Sequence, residues 1–138
     1  MDLGTRAVRY LLDTTVFIDH ARGNPGAAAV LERLFSESNE LVVCDVVVAE
    51  ALSKGLDEEI HVIGTLIRSV EYVATHPEAA RWAGESRRRR GASGTRSLAD
   101  AIIAGVAHHL DATVVTRSPR DFETQGVPVL AYGVDEAP

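Results

Sequence analysis

Leu41-Val42-Val43-Cys44-Asp45-Val46-Val47-Val48-Ala49-Glu50-Ala51-Leu52 reads as a short apolar strand that turns directly into an apolar helix. Residues 41–44 are apolar without alternation, the pattern of a strand covered on both faces. Asp45 suits a helix cap, and the helix expected after it runs to about Lys54, where Gly55 stops it. Working outward, the strand-then-helix unit recurs. Towards the N-terminus, residues 8–12 form a predicted strand and 14–21 a predicted helix, broken by Gly23-Asn24-Pro25-Gly26. Val30, Leu31, Leu34 and Phe35 then recur at helical spacing over 27–35. Towards the C-terminus, Ile60, Ile63, Leu66 and Ile67 mark one face of a helix over 58–67, and 70–74 is a short strand. His76-Pro77 opens a helix that carries Ala79, Ala80, Trp82 and Ala83, followed by a loop, Gly91-Ala92-Ser93-Gly94-Thr95. Ser97 starts a helix through about Leu110, 112–116 is a strand, Ser118-Pro119-Arg120-Asp121 a turn, and 127–131 a last short strand. Such alternation predicts an α/β fold in one domain over residues 1–138, with a mostly parallel sheet covered by helices on both faces. Ligands of such sheets bind at the carboxyl ends of the strands, near the point where strand order reverses.

The chain has 138 residues, 46% hydrophobic and 25% charged, enough for one core. Its apolar stretches fall far below the roughly 20 residues that cross a bilayer. The first nine residues hold Asp2, Arg6 and Arg9 and no long apolar run, so no signal peptide is expected. Cys44 is the sole cysteine and cannot form an intramolecular disulfide, which fits a reducing cytoplasm. The net charge of −6 argues mildly against nucleic-acid binding through global charge. Its distribution matters more. Lys54 is the only lysine among 14 basic residues, and the rest are arginine. Arg81, Arg87, Arg88, Arg89, Arg90 and Arg96 face a single acid, Glu85, in that stretch. Arginine's planar fork grips phosphate bidentately, which suits RNA or another acidic partner. The plainer reading is a solvated helix end, where cations favour the helix dipole.

Four carboxylates lie where the chemistry of such a sheet would sit. Asp13 ends the first strand in Leu11-Leu12-Asp13-Thr14-Thr15, and could equally cap the next helix. Glu50 lies in the most apolar helix of the chain, where a carboxylate is rare unless paired, metal-bound or on one exposed stripe. Asp100 stands in the first turn of its helix, three residues after Ser97, a spacing shared with a capping box. Asp121 follows the strand over 112–116, in what also reads as an ordinary turn. If the four converge, two charges about 4 Å apart cost roughly 4 kcal/mol at an effective dielectric near 20. A divalent cation would relieve that repulsion. All-oxygen donors without cysteine suit Mg2+ or Mn2+ rather than zinc. Thr116 and Ser118 are further candidates, for orienting water or metal. His108 and His109 are adjacent, so they project about 100° apart on a helix and read as surface or packing residues.

Leu11-Leu12-Asp13-Thr14-Thr15-Val16-Phe17-Ile18-Asp19 resembles the opening motif of PIN domains. Val48-Ala49-Glu50-Ala51-Leu52, Leu98-Ala99-Asp100-Ala101-Ile102-Ile103-Ala104 and Val114-Val115-Thr116-Arg117-Ser118-Pro119-Arg120-Asp121-Phe122 resemble the second, third and fourth, in order across nearly the whole chain. Within PIN domains the likeness is to the VapC toxins of toxin–antitoxin pairs. The resemblance implies a sheet of strand order 3-2-1-4-5, a homodimer, and Mg2+- or Mn2+-dependent cleavage of RNA, usually tRNA or rRNA. It also implies a VapB-type antitoxin that blocks the active site. Asp13, Glu50, Asp100 and Asp121 would be the catalytic and metal-binding acids; separately, the local positive charge of Arg87, Arg88, Arg89, Arg90 and Arg96 would let them hold RNA. One departure stands out: many relatives carry Asn or Asp where this chain has Ser118, which makes Asp121 the nearest acid for the fourth place.

Two other readings compete. A phosphotransfer domain with an aspartyl phosphate shares the architecture, but a phosphatase of that kind needs a second Asp where Thr15 stands. A receiver needs a late lysine, and Lys54 lies early. A PIN-like scaffold that binds RNA or a partner without cutting it is the non-enzymatic alternative.

Overall fold

The computed structural model describes residues 8–37, 39–91 and 97–133. In chain order the elements are β1 (Arg9–Leu12), α1 (Thr14–Ala21), α2 (Pro25–Ser36), β2 (Glu40–Cys44), α3 (Asp45–Ala51), α4 (Asp57–Arg68), β3 (Glu71–Val73), α5 (Pro77–Arg90), α6 (Leu98–Leu110), β4 (Thr113–Thr116), α7 (Arg120–Glu123) and β5 (Val129–Ala131). The sheet order is β3-β2-β1-β4-β5, and every pair is parallel. This is the order implied by the resemblance. Leu11, Leu12, Val42, Val43, Val114 and Val115 on the three central strands are buried, as double-sided cover requires. The chain walks outward from β1 through β2 to β3, then returns to β4 on the other side of β1. Strand order therefore reverses between β1 and β4, and the crevice for a ligand opens at their carboxyl ends.

Local chemistry moved several boundaries. Asn24, rather than a later residue, caps α2: its side chain accepts from Ala27 N–H at 3.0 Å, and Pro25 takes the first helical position. Asp45 is not the cap of α3. Cys44 occupies that position, and Asp45 opens the first turn. The Asp45 carboxylate instead accepts from Thr75 Oγ1–H at 2.5 Å and Thr75 N–H at 3.2 Å, clasping the approach to α5. Helix α3 stops at Ala51, short of Lys54. Pro128, without an N–H, delays β5 to Val129.

Helices α5 and α6 pack as an antiparallel pair whose spacing a glycine sets. A Cβ on Gly105 would collide with the carbonyl oxygen of Ala79, and Ala83 lies beside it. At the far end, His76 stacks on His109 with ring centroids 4.3 Å apart, and Trp82 on His108 at 4.9 Å. The two adjacent histidines thus serve separate packing contacts, in line with their divergent directions. Among the described residues, no helix is long and apolar enough to cross a membrane.

Candidate active site

Asp13 follows β1 directly and is 4% exposed. It holds the N-cap position of α1, yet its side chain makes no capping bond. Its Oδ2 accepts instead from Thr116 Oγ1–H at 2.8 Å and from Thr15 Oγ1–H at 3.0 Å. Each hydroxyl also accepts a backbone N–H. Ser118 N–H donates to Thr116 Oγ1 at 2.9 Å, and Arg117 N–H to Thr15 Oγ1 at 3.2 Å. A bond to a charged group contributes about 1.5–3 kcal/mol. Burial still wins, and Asp13's pKa is raised, with the Thr116 and Thr15 bonds opposing the rise.

Glu50 reaches the same crevice from α3. It is half-buried, and its Oε1 accepts from Thr14 Oγ1–H at 2.7 Å, one residue beyond Asp13. Asp100 comes from the first turn of α6, where Ser97 caps the helix by accepting Asp100 N–H at 3.0 Å. Capping and site placement coexist there. Asp100's carboxyl is pushed up to about 6, first by burial and then by the charges of Asp121, Asp13 and Glu50. Asp100 thus lies within electrostatic range of the other three acids, which come from the end of β1 (Asp13), from α3 (Glu50) and from α7 (Asp121).

The turn after β4 differs from the expected one. Pro119, not Ser118, is the N-cap of α7, and no side chain caps it. Asp121 N–H donates to the Ser118 carbonyl at 3.2 Å. The Ser118 side chain therefore does not cap α7, and the charge of Asp121 acts on Asp100. The last turn of α5 carries Arg87, Arg88, Arg89 and Arg90. Arg88 and Arg89 are exposed, Arg90 Nε donates to Ser86 Oγ at 3.2 Å, and Arg87 Nε is buried without a hydrogen-bond partner among the described residues. Arg96 lies outside the described residues.

Sequence reasoning missed the hydroxyls of Thr14 and Thr15 and a second buried acid. Asp19 is 6% exposed on α1, where it accepts from Tyr132 Oη–H at 2.9 Å and pairs with Arg117 Nε at 3.0 Å. Its signal was legible: an acid three residues after Val16, on the buried face of a short helix.

The donors suit a hard divalent cation. They are carboxylate and hydroxyl oxygens, and the nearby Cys44 thiol is pushed up to about 11 by burial. Among the described residues, no three His, Cys, Asp or Glu side chains form a ready-made cage.

The PIN domain family profile matches residues 10–124. The chain belongs to the PIN-domain family. It is 30% identical to Ribonuclease VapC19 of Mycobacterium tuberculosis, over 81% of this chain and 90% of that protein. Its fold is similar to a chain of the VapBC2 complex of Rickettsia felis bound to a promoter DNA fragment, with a TM-score of 0.78 at 20% identity, covering 91% of this chain and 99% of that one. It is also similar to a chain of DNA-bound VapBC from Salmonella typhimurium, with a TM-score of 0.76 at 23% identity, covering 90% and 98%.

Proposed function

We infer that the protein is an endoribonuclease of the VapC type, the toxin of a toxin–antitoxin pair, acting through Asp13, Glu50, Asp100 and Asp121. The observation that supports this most is the Asp100 carboxyl, raised to about 6 by burial and by the three other acids. A fold does not gather four carboxylates for its own stability; a bound cation makes the cluster favourable. Mg2+ or Mn2+, when bound, would supply Lewis acidity and an activated water for in-line attack on a phosphodiester. The residues do the rest. Thr15 and Thr116 hold one Asp13 oxygen as an acceptor and fix its direction. Thr14 does the same for Glu50. Asp100, its carboxyl raised to about 6, would be one of the residues to hold the cation, and would do so as the carboxylate.

Asp121 rather than Ser118 supplies the fourth acid, since a neutral hydroxyl offsets little positive charge. The exposed arginines at the end of α5, with Arg96, extend the RNA contact. A VapB-type antitoxin covers the site in the resting complex, a partner that the similarity to chains of VapBC complexes supports, and the toxin forms a homodimer, as the motif resemblance implies. The substrate class is structured RNA, such as tRNA or rRNA.

Purified protein should cleave RNA with Mg2+ or Mn2+ and stop with EDTA. Asp13→Asn, Glu50→Gln and Asp100→Asn should each abolish cleavage in folded protein. Full activity in folded Asp100→Asn sinks the reading. Asp121→Asn should raise the Mg2+ requirement while Ser118→Ala does not; the reverse order returns the fourth place to Ser118.

A further inference from the structure

Arg117 is spent on nothing the cleavage mechanism above requires, yet it is held with unusual care. It follows Thr116, the last residue of β4 and a donor to Asp13. Its backbone N–H donates to Thr15 Oγ1 at 3.2 Å, and Thr15 donates to the same Asp13 oxygen. The main chain of Arg117 is thereby tied to the acidic centre through one intervening hydroxyl. Its side chain pairs through Nε with Asp19 Oδ2 at 3.0 Å, and Tyr132 Oη–H donates to that same oxygen at 2.9 Å. The Asp19 side chain is 8% exposed and the Arg117 side chain 49%.

That asymmetry decides the reading. Asp19 is a buried carboxylate with two partners, and Tyr132 alone would give it a hydrogen bond. Arg117 is half exposed even though its Nε is paired with the buried Asp19. The guanidinium loses little freedom on meeting a ligand, because its stem is already fixed. A rigid cation at the rim of an anionic centre suits a second anion bound beside that centre.

We propose that Arg117, oriented by the buried Asp19–Tyr132 pair, binds a backbone phosphate of the RNA next to the one that is cut. This rests on the ribonuclease reading and adds a contact to it. Arg117 offsets, at the lip of the crevice, the repulsion an RNA strand meets from four carboxylates.

The test uses the full chain in the inactive Asp100→Asn background, with Mg2+ present and a labelled single-stranded RNA oligonucleotide as probe. Affinity is followed between about 50 and 200 mM salt. Arg117→Gln keeps a donor for Asp19 and removes the charge. It should weaken binding roughly tenfold and flatten the salt slope by about 0.7, the share of one phosphate on a single strand. If Arg117→Gln does not fold, Asp19→Asn is compared with Asp19→Asn/Arg117→Gln, a pair that differs only in the charge at 117 and buries no lone carboxylate. The same drop in slope is expected. In the active protein, Arg117→Gln should raise KM more than it lowers kcat.

An unchanged slope and affinity overturn the proposal and leave Arg117 as the counterion of Asp19. Wild-type protein that binds RNA with this slope difference but never cuts it sinks the nuclease reading and not the contact. Cleavage with an unchanged slope sinks the contact alone. A parent protein with no salt-dependent RNA binding overturns both.

Discussion

Thr116 is buried at the end of β4. Its hydroxyl oxygen accepts Ser118 N–H, and its proton goes to Asp13 Oδ2. Thr116→Val keeps the shape and removes that donor. The loss of a supporting partner to a ligand residue typically costs 10–100-fold in metal affinity or activity, on the order of what is expected here. The sign for pH follows from Asp13. Burial already raises its pKa, and the Thr116 bond opposes that rise. Removing the bond raises it further, so the low-pH limb of the activity profile should move to higher pH in Thr116→Val. A profile unmoved in position and height would show that Thr15 alone fixes Asp13. At this scale the acids were legible and the hydroxyls less so. Asp13, Glu50, Asp100 and Asp121 stand out because a charge in an apolar context needs a reason. Thr14 and Thr15 are common helix-start residues, and nothing in their spacing says which carboxylate each one meets.

Elements were legible where backbone chemistry is strict. His76-Pro77 sets the start of α5, and the His76 ring accepts Glu78 N–H at 3.0 Å there. Ser97 sets the start of α6. Elements slipped where a polar side chain had two possible partners. Asp45 reads as a cap, but Thr75, thirty residues on, takes its carboxylate. That contact is invisible until β2 and β3 lie side by side. The α5–α6 spacing is of the same kind, since only the folded pair shows why residue 105 is glycine. Gly105→Ala places a methyl against the Ala79 carbonyl and forces the helices apart. Overpacking of this kind costs about 1–3 kcal/mol. Because α6 carries Asp100, the shift should also lower cleavage more than the stability loss explains. Thermal unfolding and single-turnover cleavage of Gly105→Ala check this; wild-type stability would show that the helices yield freely.

At the scale of the molecule, the strand alternation fixed the class of fold, and the motif order implied the arrangement of the sheet. What residue spacing could not supply was convergence, because the four acids are scattered from residue 13 to 121 and meet only after β4 returns beside β1. The electrostatic consequence of that meeting can be measured. Burial and the neighbouring acids raise Asp100's carboxyl from its ordinary range to about 6, and burial raises Asp13 as well. A carboxyl raised by folding contributes stability that is fully present below its unfolded pKa and lost as pH rises through the folded one. The metal-free protein should therefore lose stability between about pH 4 and 6, opposite to a domain held by ionised carboxylates. Asp100→Asn removes its share of the loss, so the metal-free variant should unfold at a higher temperature than wild type at pH 7 and show a flatter profile. Mg2+ should act in the reverse sense. A cation that binds only the folded state adds about 2.7 kcal/mol at a hundred times its Kd, an increase in Tm on the order of 10 °C for this size. That gain should be large at pH 7, small near pH 4.5 where protons hold the site, and largely absent in Asp100→Asn. Equal stabilisation of wild type and Asp100→Asn by Mg2+ at pH 7 would mean the cation binds elsewhere, and the four acids would then be a cluster without a common ligand.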